Sequence, residues 1–248
     1  MSMKKHETVM GMPAVVELVG GTLESIERVF TYFHAIDERF STYKVTSEIS
    51  RINRGEILPE NYSAEVTEVL ELSEKTKQET DGFFNVYTSD KKLDPSGLVK
   101  GWAINNAAHL IRSSGFENFW VDAGGDVQTG GKNADDKEWS VGIRSPFNPG
   151  EIVKVLYPRG KGIATSGTYV RGQHIYNPLT GDSAPSELVS LTIIGHDVYE
   201  ADRFATAAFA MGIKGLRFIE SLDGFEAYAI DVEKRATMSS GFETYTTQ

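Results

Sequence analysis

The segment Ala201–Gly212, ADRFATAAFAMG, constrains the fold more tightly than any other part of this chain. Its alanines at 201, 205, 207, 208 and 210 favour a slender helix that can lie close against a neighbour, and Phe204, Phe209 and Met211 demand burial. Asp202 and Thr206 are four residues apart in it and therefore share one helical face. Asp197 followed by Glu200 has the spacing of a capping box, so Asp202 is not needed as the N-cap, and Gly212 supplies a C-terminal stop. Two readings fit the Asp202/Thr206 pair. A carboxylate and a hydroxyl on adjacent turns suit a hard cation such as Mg²⁺ whose shell is completed by substrate phosphates. A solvated Asp beside a Thr bonded back to its own helix fits equally well with ordinary helix chemistry.

A chain of 248 residues can bury a sizeable core, and with 40% hydrophobic and 24% charged residues it has the composition of an ordinary globular protein. No linker, repeat or low-complexity tract interrupts it, so the expectation is one domain over residues 1–248. The net charge of −10 excludes nucleic acid as the main partner, because phosphate backbones are held by clustered Lys and Arg. The absence of cysteine removes disulfides, thiolate metal sites and a cysteine nucleophile together. The opening residues contain no apolar run long enough for a signal core or a stable membrane insertion, so the chain as it stands reads as cytoplasmic. An exported or membrane-anchored protein shorn of its leader would read the same. A homodimer stays open.

Hydrophobic spacing predicts a strand over 10–19 ending at Gly20-Gly21, then helices over 23–40, 47–53, 63–80 and from about 97 to 114. The stretch 83–94 reads as irregular. Beyond it the texture changes to short strands over 119–123, after Asp126, and over 139–144, 152–157, 162–167, 173–176 and 188–194. The Ala-rich helix and a last strand near 227–231 follow. Interleaved helices and strands of this kind predict an α+β fold with helices layered on sheet.

Three other places could carry chemistry. Asp94-Pro95-Ser96-Gly97-Leu98-Val99-Lys100-Gly101 puts an acid, a glycine and a lysine at a helix mouth, where phosphate is attracted, although a plain Pro-Ser-Gly turn reads the same. Gly124-Gly125-Asp126 is either a hairpin turn or a place where a ligand approaches the backbone. His174, in HIYNPLTG, could take a proton from a hydroxyl nucleophile near neutral pH, or be structural. The histidines at 6, 34, 109 and 196 form no cluster and read as structural or solvated.

Taken in order, LDPSGLVKGWAIN, WVDAGGDVQTGG, IATSGTYVRGQHIYNPLTG and EADRFATAAFAMG resemble the signature blocks of the ApbE-type FAD:protein FMN transferases. VMGMP, STYKVTSEISRIN and TDGFFNVYT resemble that family's opening motifs, so the similarity runs over nearly the whole chain. The resemblance implies an α+β, T-fold-like domain with mixed or antiparallel sheets against several helices. It implies FAD as substrate, Mg²⁺ as cofactor, an acceptor flavoprotein carrying a Ser or Thr, and AMP as the second product. By motif position, Asp202, Thr206 and the Gly97 carbonyl would hold the metal. Met10, Tyr43, Phe83, Phe84, Asn85, Asp94, Lys100 and Ile175 would line the FAD site, and His174 would be the general base. Four positions depart from the usual family pattern: Asn85 stands for Asp, Phe83 for a small residue, Asp122 for Asn, and Met12-Pro13 for the threonine after Met-Gly. Two further readings of such a protein are an FAD pyrophosphatase, with water in place of the acceptor hydroxyl, and a non-catalytic FAD-binding or storage protein.

Overall fold

The computed structural model describes residues 1–148, 150–168, 176–181 and 187–247. Strands β1 (Ser2–Val9) and β2 (Met12–Val19) form a hairpin whose two-residue loop, Met10-Gly11, has positive φ at both positions, the backbone twist that two-residue hairpins require. The predicted strand over 10–19 is therefore β2 alone. Sequence reading passes over β1 because this edge strand is largely exposed and carries Lys4, Lys5, His6 and Glu7 instead of an apolar face.

Helix α1 (Leu23–Phe40) buries Ile26, Val29, Phe30, Phe33 and Ile36 in a stripe of helical period and is capped by Thr22, whose side chain accepts the Ser25 N–H. Serine caps also begin α2 (Glu48–Asn53) and α3 (Ala64–Glu79), through Ser47 and Ser63. Helix α4 (Ser96–Ser113) is buried along most of its length. Strands β3 (Phe119–Ala123) and β4 (Asp126–Gly130) then pair across the Gly124-Gly125 turn. Strands β5 (Val141–Arg144) and β6 (Ile152–Leu156) make a separate two-stranded ribbon, after which the chain returns through β7 (Gly162–Gly167) and β8 (Leu188–Gly195). The Ala-rich segment is helix α5 (Val198–Ala210), and α6 (Lys214–Glu220), β9 (Glu226–Asp231) and β10 (Ala236–Met238) complete the chain. Helix α6 and strand β10, one only seven residues long and the other fully exposed, had no periodicity to announce them. The strand predicted over 173–176 falls almost wholly outside the described residues.

Eight strands form one sheet in the order β1-β2-β3-β4-β7-β8-β9-β10, and every pairing is antiparallel. This is the α+β architecture expected from the sequence. Helices cover one face. Ala14, Val16 and Leu18 of β2 and Phe119 and Val121 of β3 pack on α1 and α4, while Leu191, Ile193, Ala227 and Ala229 pack on α5 and α6. On the opposite face Val127, Ile163, Ile194 and Ile230 meet Val141, Ile143 and Leu156 of the ribbon. The central strands are thus covered on both sides, which is why β4 and β8 are almost continuously buried.

Helix α5 is tied to this sheet by polar contacts as well as packing. Asp197 accepts the Glu200 N–H at 2.8 Å, half of the predicted capping box. The Glu200 carboxylate turns instead to Arg203, which is 3% exposed, bonds Glu79 of α3 as well, and lies over the Phe204 ring. Gln128, buried in β4, accepts the Val198 N–H at 2.9 Å through its side-chain oxygen and donates to the Gly160 and Thr129 carbonyls. One side chain thereby satisfies an orphan donor of α5 and fastens the helix start to the sheet. Replacing Gln128 by Leu strands the buried Val198 N–H and removes a bond from the half-buried Gly160 carbonyl, and should cost roughly 1–3 kcal/mol, read as a lower urea midpoint with unchanged slope.

Candidate functional site

Helices α4 and α5 meet where each presents small or short side chains at four-residue spacing. Gly97 and Gly101 of α4 face Thr206 and Asp202 of α5. A Cβ at Gly101 would fall 2.5 Å from the Asp202 Cβ and 2.7 Å from the Val198 carbonyl oxygen, and one at Gly97 would fall 3.1 Å from the Thr206 methyl. At that approach the Gly101 N–H donates to Asp202 Oδ2 at 2.7 Å and the Thr206 hydroxyl donates to the Gly97 carbonyl at 3.1 Å. Asp202 is 3% exposed, so it is no solvated surface acid, and Thr206 bonds across to α4 instead of back into its own helix.

Charge concentrates here. The Lys100 ammonium lies 2.6 Å from Asp126 Oδ2 and 3.4 Å from Asp202 Oδ1, and Asp126 Oδ1 also accepts the Thr165 N–H at 3.0 Å. Burial pushes the Asp202 carboxyl well above the ordinary carboxylate range, Lys100 and the Gly101 N–H pull it down, and Asp126 pushes it up again. Asp122, next to the glycine pair, is likewise pushed up by burial, against the Gly125 N–H that it accepts at 2.9 Å. One lysine thus sits among three carboxylates. An added divalent cation would relieve the surplus negative charge and hold Asp202 ionised.

The corner opens on a cavity of about 860 Å³. Gly97, Asp202 and Thr206 line it, as do Phe83, Phe84, Asn85, Asp94 and Lys100. These eight predicted residues come together from three separate stretches of sequence. Asp94 accepts the Ser96 N–H at 3.1 Å and so sits at the α4 N-terminus, and Asn85 accepts the Tyr87 N–H at 3.0 Å in a tight local turn. The loop carrying Phe83 to Asp94, irregular in sequence, is held in place by Asn53, whose side chain bonds both the N–H and the carbonyl of Leu93.

Met10, in the β1–β2 loop, and Tyr43, 94% exposed after α1, are not among the residues at the cavity wall. His174 and Ile175 lie outside the described residues. The chain resumes at Tyr176, which lines the cavity and donates to the Tyr87 carbonyl at 3.0 Å. The glycine pair serves both of its readings, since Gly124 and Gly125 have positive φ in the β3–β4 turn and also line the cavity. Sequence reading gave no role to Asp126, which holds Lys100, or to the wall residues His6, Arg144, Thr165 and Thr192. The Gly97/Gly101 spacing was the one available signal for the helix contact; the wall residues come from strands whose lateral order no local pattern reveals.

The donors at the α4–α5 corner fit a hard, oxygen-preferring cation. No group of three or more His, Cys, Asp or Glu able to hold a metal exists among the described residues. The available set is one carboxylate, one hydroxyl and one main-chain carbonyl, the incomplete kind that a small divalent ion shares with water and substrate phosphates. The Thr206 hydroxyl and the Gly97 carbonyl are already brought within 3.1 Å of one another by their hydrogen bond, so both oxygens would be available to the same ion.

Residues 10–91 and 87–229 match the family model described as the ApbE family. An FAD:protein FMN transferase from Vibrio cholerae is 31% identical over 158 residues, covering 55% of this chain and 47% of the relative. The matched part spans about half the length of such curated relatives. Among solved structures, the ApbE protein of Thermotoga maritima superposes with a TM-score of 0.87 at 20% identity over 100% of both chains. The flavin transferase ApbE of Vibrio cholerae gives 0.84 at 20% identity over 99% of this chain and 100% of that one. No helix among the described residues is long and apolar enough to cross a membrane.

The Gly101–Asp202 contact leaves no room for a methyl group. Gly101→Ala gains up to about 1 kcal/mol of helix propensity, but the clash involves the α5 backbone and overpacking of this kind costs roughly 1–3 kcal/mol. The net expectation is a lower melting temperature, measured by circular dichroism, in a residue change that stabilises most exposed helices.

Proposed function

Because this chain belongs to the ApbE family, we propose that it is a Mg²⁺-dependent FAD:protein FMN transferase. The observation that carries the reading is the convergence of the Asp202 carboxylate, the Thr206 hydroxyl and the Gly97 carbonyl beside a cavity of about 860 Å³, a size typical of cofactor and substrate pockets. FAD occupies that cavity. A Ser or Thr hydroxyl oxygen of the acceptor protein attacks the FMN-side phosphorus, the bond from that phosphorus to the bridging oxygen breaks, and AMP leaves with the bridging oxygen.

Asp202, Thr206 and Gly97 would hold the metal, which when bound supplies positive charge against the pyrophosphate oxygens. Lys100, fixed by Asp126, adds a permanent cation to the same corner. Phe83 and Phe84 offer flat apolar contacts to a ring system, and Asp94 accepts hydrogen bonds at the mouth of α4. The family resemblance also assigns Met10, Tyr43 and Ile175 to FAD, although Met10 and Tyr43 stand off the cavity wall. His174 receives the proton that the acceptor hydroxyl releases, so that the products are the FMN phosphoester, AMP and one proton. The burial of Asp202 matters to this scheme, because a carboxylate already out of water loses little hydration on meeting a cation.

The test is incubation with FAD, Mg²⁺ and a peptide or protein acceptor bearing a Ser/Thr flavinylation motif, read by mass spectrometry. The expected product is an acceptor heavier by one FMN phosphoester, with stoichiometric AMP. Asp202→Ala and Thr206→Val should each lower the rate about a hundredfold or more, and chelation of the metal should abolish it. AMP formed equally fast without an acceptor would identify a pyrophosphatase instead. FAD binding with no AMP under any condition would identify a storage protein.

A further inference from the structure

The cavity has two walls with permanent positive charge, and only one of them belongs to the corner described above. Among the described lining residues, Lys100 and Arg144 are its lysine and arginine. Lys100 is already committed to two buried carboxylates, Asp126 and Asp202. Arg144 is not committed. It stands at the end of β5, on the β5–β6 ribbon, and no hydrogen bond or ion pair joins its side chain to any described residue.

The ribbon is built to present it. Val141 and Ile143 point into the core between ribbon and sheet, whereas Gly142 and Arg144 are exposed on the alternate face. The β5–β6 register shifts between Ile143 and Arg144, with Val153 of β6 the residue left unpaired, so regular pairing loosens where the strand ends at Arg144. The carboxylate whose field reaches Arg144 is Asp122, which sits at the glycine turn, is itself engaged by the Gly125 N–H, and is too far away to form an ion pair. A guanidinium at a cavity wall, untied by any described residue, offers its planar fork of donors to two oxygens of a phosphate.

We propose that Arg144 is a substrate-binding residue that receives phosphate oxygens of the nucleotide from the ribbon wall of the cavity, as a second cation beside the Lys100 corner. This rests on the flavin-nucleotide reading and deepens it. The phosphate chain would then meet two cations, the Lys100 ammonium on the helix wall and a fork of guanidinium donors on the ribbon wall. Riboflavin, which has the ring system but no phosphate, gains nothing from Arg144.

Titration calorimetry of the wild type, Arg144→Gln and Arg144→Lys with ADP and with riboflavin separates the possibilities. Arg144→Gln should weaken ADP about tenfold or more, the usual scale for losing a charge-assisted pair, and Arg144→Lys should restore part of that loss by charge alone. Riboflavin affinity should stay within about twofold in both variants. The proposal is overturned if ADP binding is unchanged in Arg144→Gln, if riboflavin binding falls as far as ADP binding, or if the wild type binds no ADP. The acceptor assay stands apart from this. FMN transfer by the wild type with unaltered ADP affinity in Arg144→Gln would remove the role of Arg144 alone, and selective loss of ADP binding without any FMN transfer would remove the transferase reading alone.

Discussion

The close crossing of α4 on α5 is the contact on which the rest of the site depends. It requires a glycine on α4 at 101, because any side chain there would overlap the α5 backbone at Val198 as well as Asp202. The short separation turns a packing contact into a chemical one. A main-chain N–H in the middle of a helix is normally consumed within the helix, yet the Gly101 N–H is near enough to Asp202 to donate at 2.7 Å. The same separation lets the Thr206 hydroxyl reach the Gly97 carbonyl one turn earlier. Both polar pairs therefore follow from one steric fact.

That crossing has to be paid for electrostatically. A carboxylate as buried as Asp202 would favour its protonated form, and the structure answers with Lys100, which Asp126 in turn holds from the sheet. Asp126 reaches its position because β4 lies between β3 and β7, where its other oxygen accepts the Thr165 N–H. The charged corner is thus a junction of two helices and two strands, its hydrogen bonds and ion pairs supplied by different elements. Gln128, two residues further along β4, fastens the start of α5 in the same way. The sheet supplies the reference frame, and the helices carry the functional groups.

The open side of the cavity is made differently. The β5–β6 ribbon is anchored by a few apolar side chains on one face and leaves the other face to the cavity. The loop from Phe83 to Asp94 owes its shape to Asn53, which imitates a strand partner for Leu93. The ribbon pairs only with itself and the loop contains no helix or strand, so both are built independently of the α4–α5 corner. A charged floor at a helix crossing, with the walls contributed by other segments, suits the proposed transfer, which would bring a nucleotide and an acceptor protein to one site.

The longer helices were legible in the sequence because they carry local records: an apolar stripe and a Thr cap in Leu23–Phe40, and an Asp cap with Gly212 past the end in the Ala-rich α5. The order of the signature blocks likewise placed Asp202, Thr206, Gly97 and Lys100 among the candidates before any coordinates. Edge strands such as β1 and β10 left no such record, since a strand with two wet faces has no alternation to read. By itself the sequence determined which segments are helical and which side chains are chemically able to serve, because those properties are local. Tertiary structure alone decided that Asp202 is buried instead of solvated, that Asp126 is the partner of Lys100, and that Arg144 stands untied at the same cavity. Those facts depend on the lateral order of strands and the distance between two helices, which join residues tens of positions apart and are set by packing over the whole sheet.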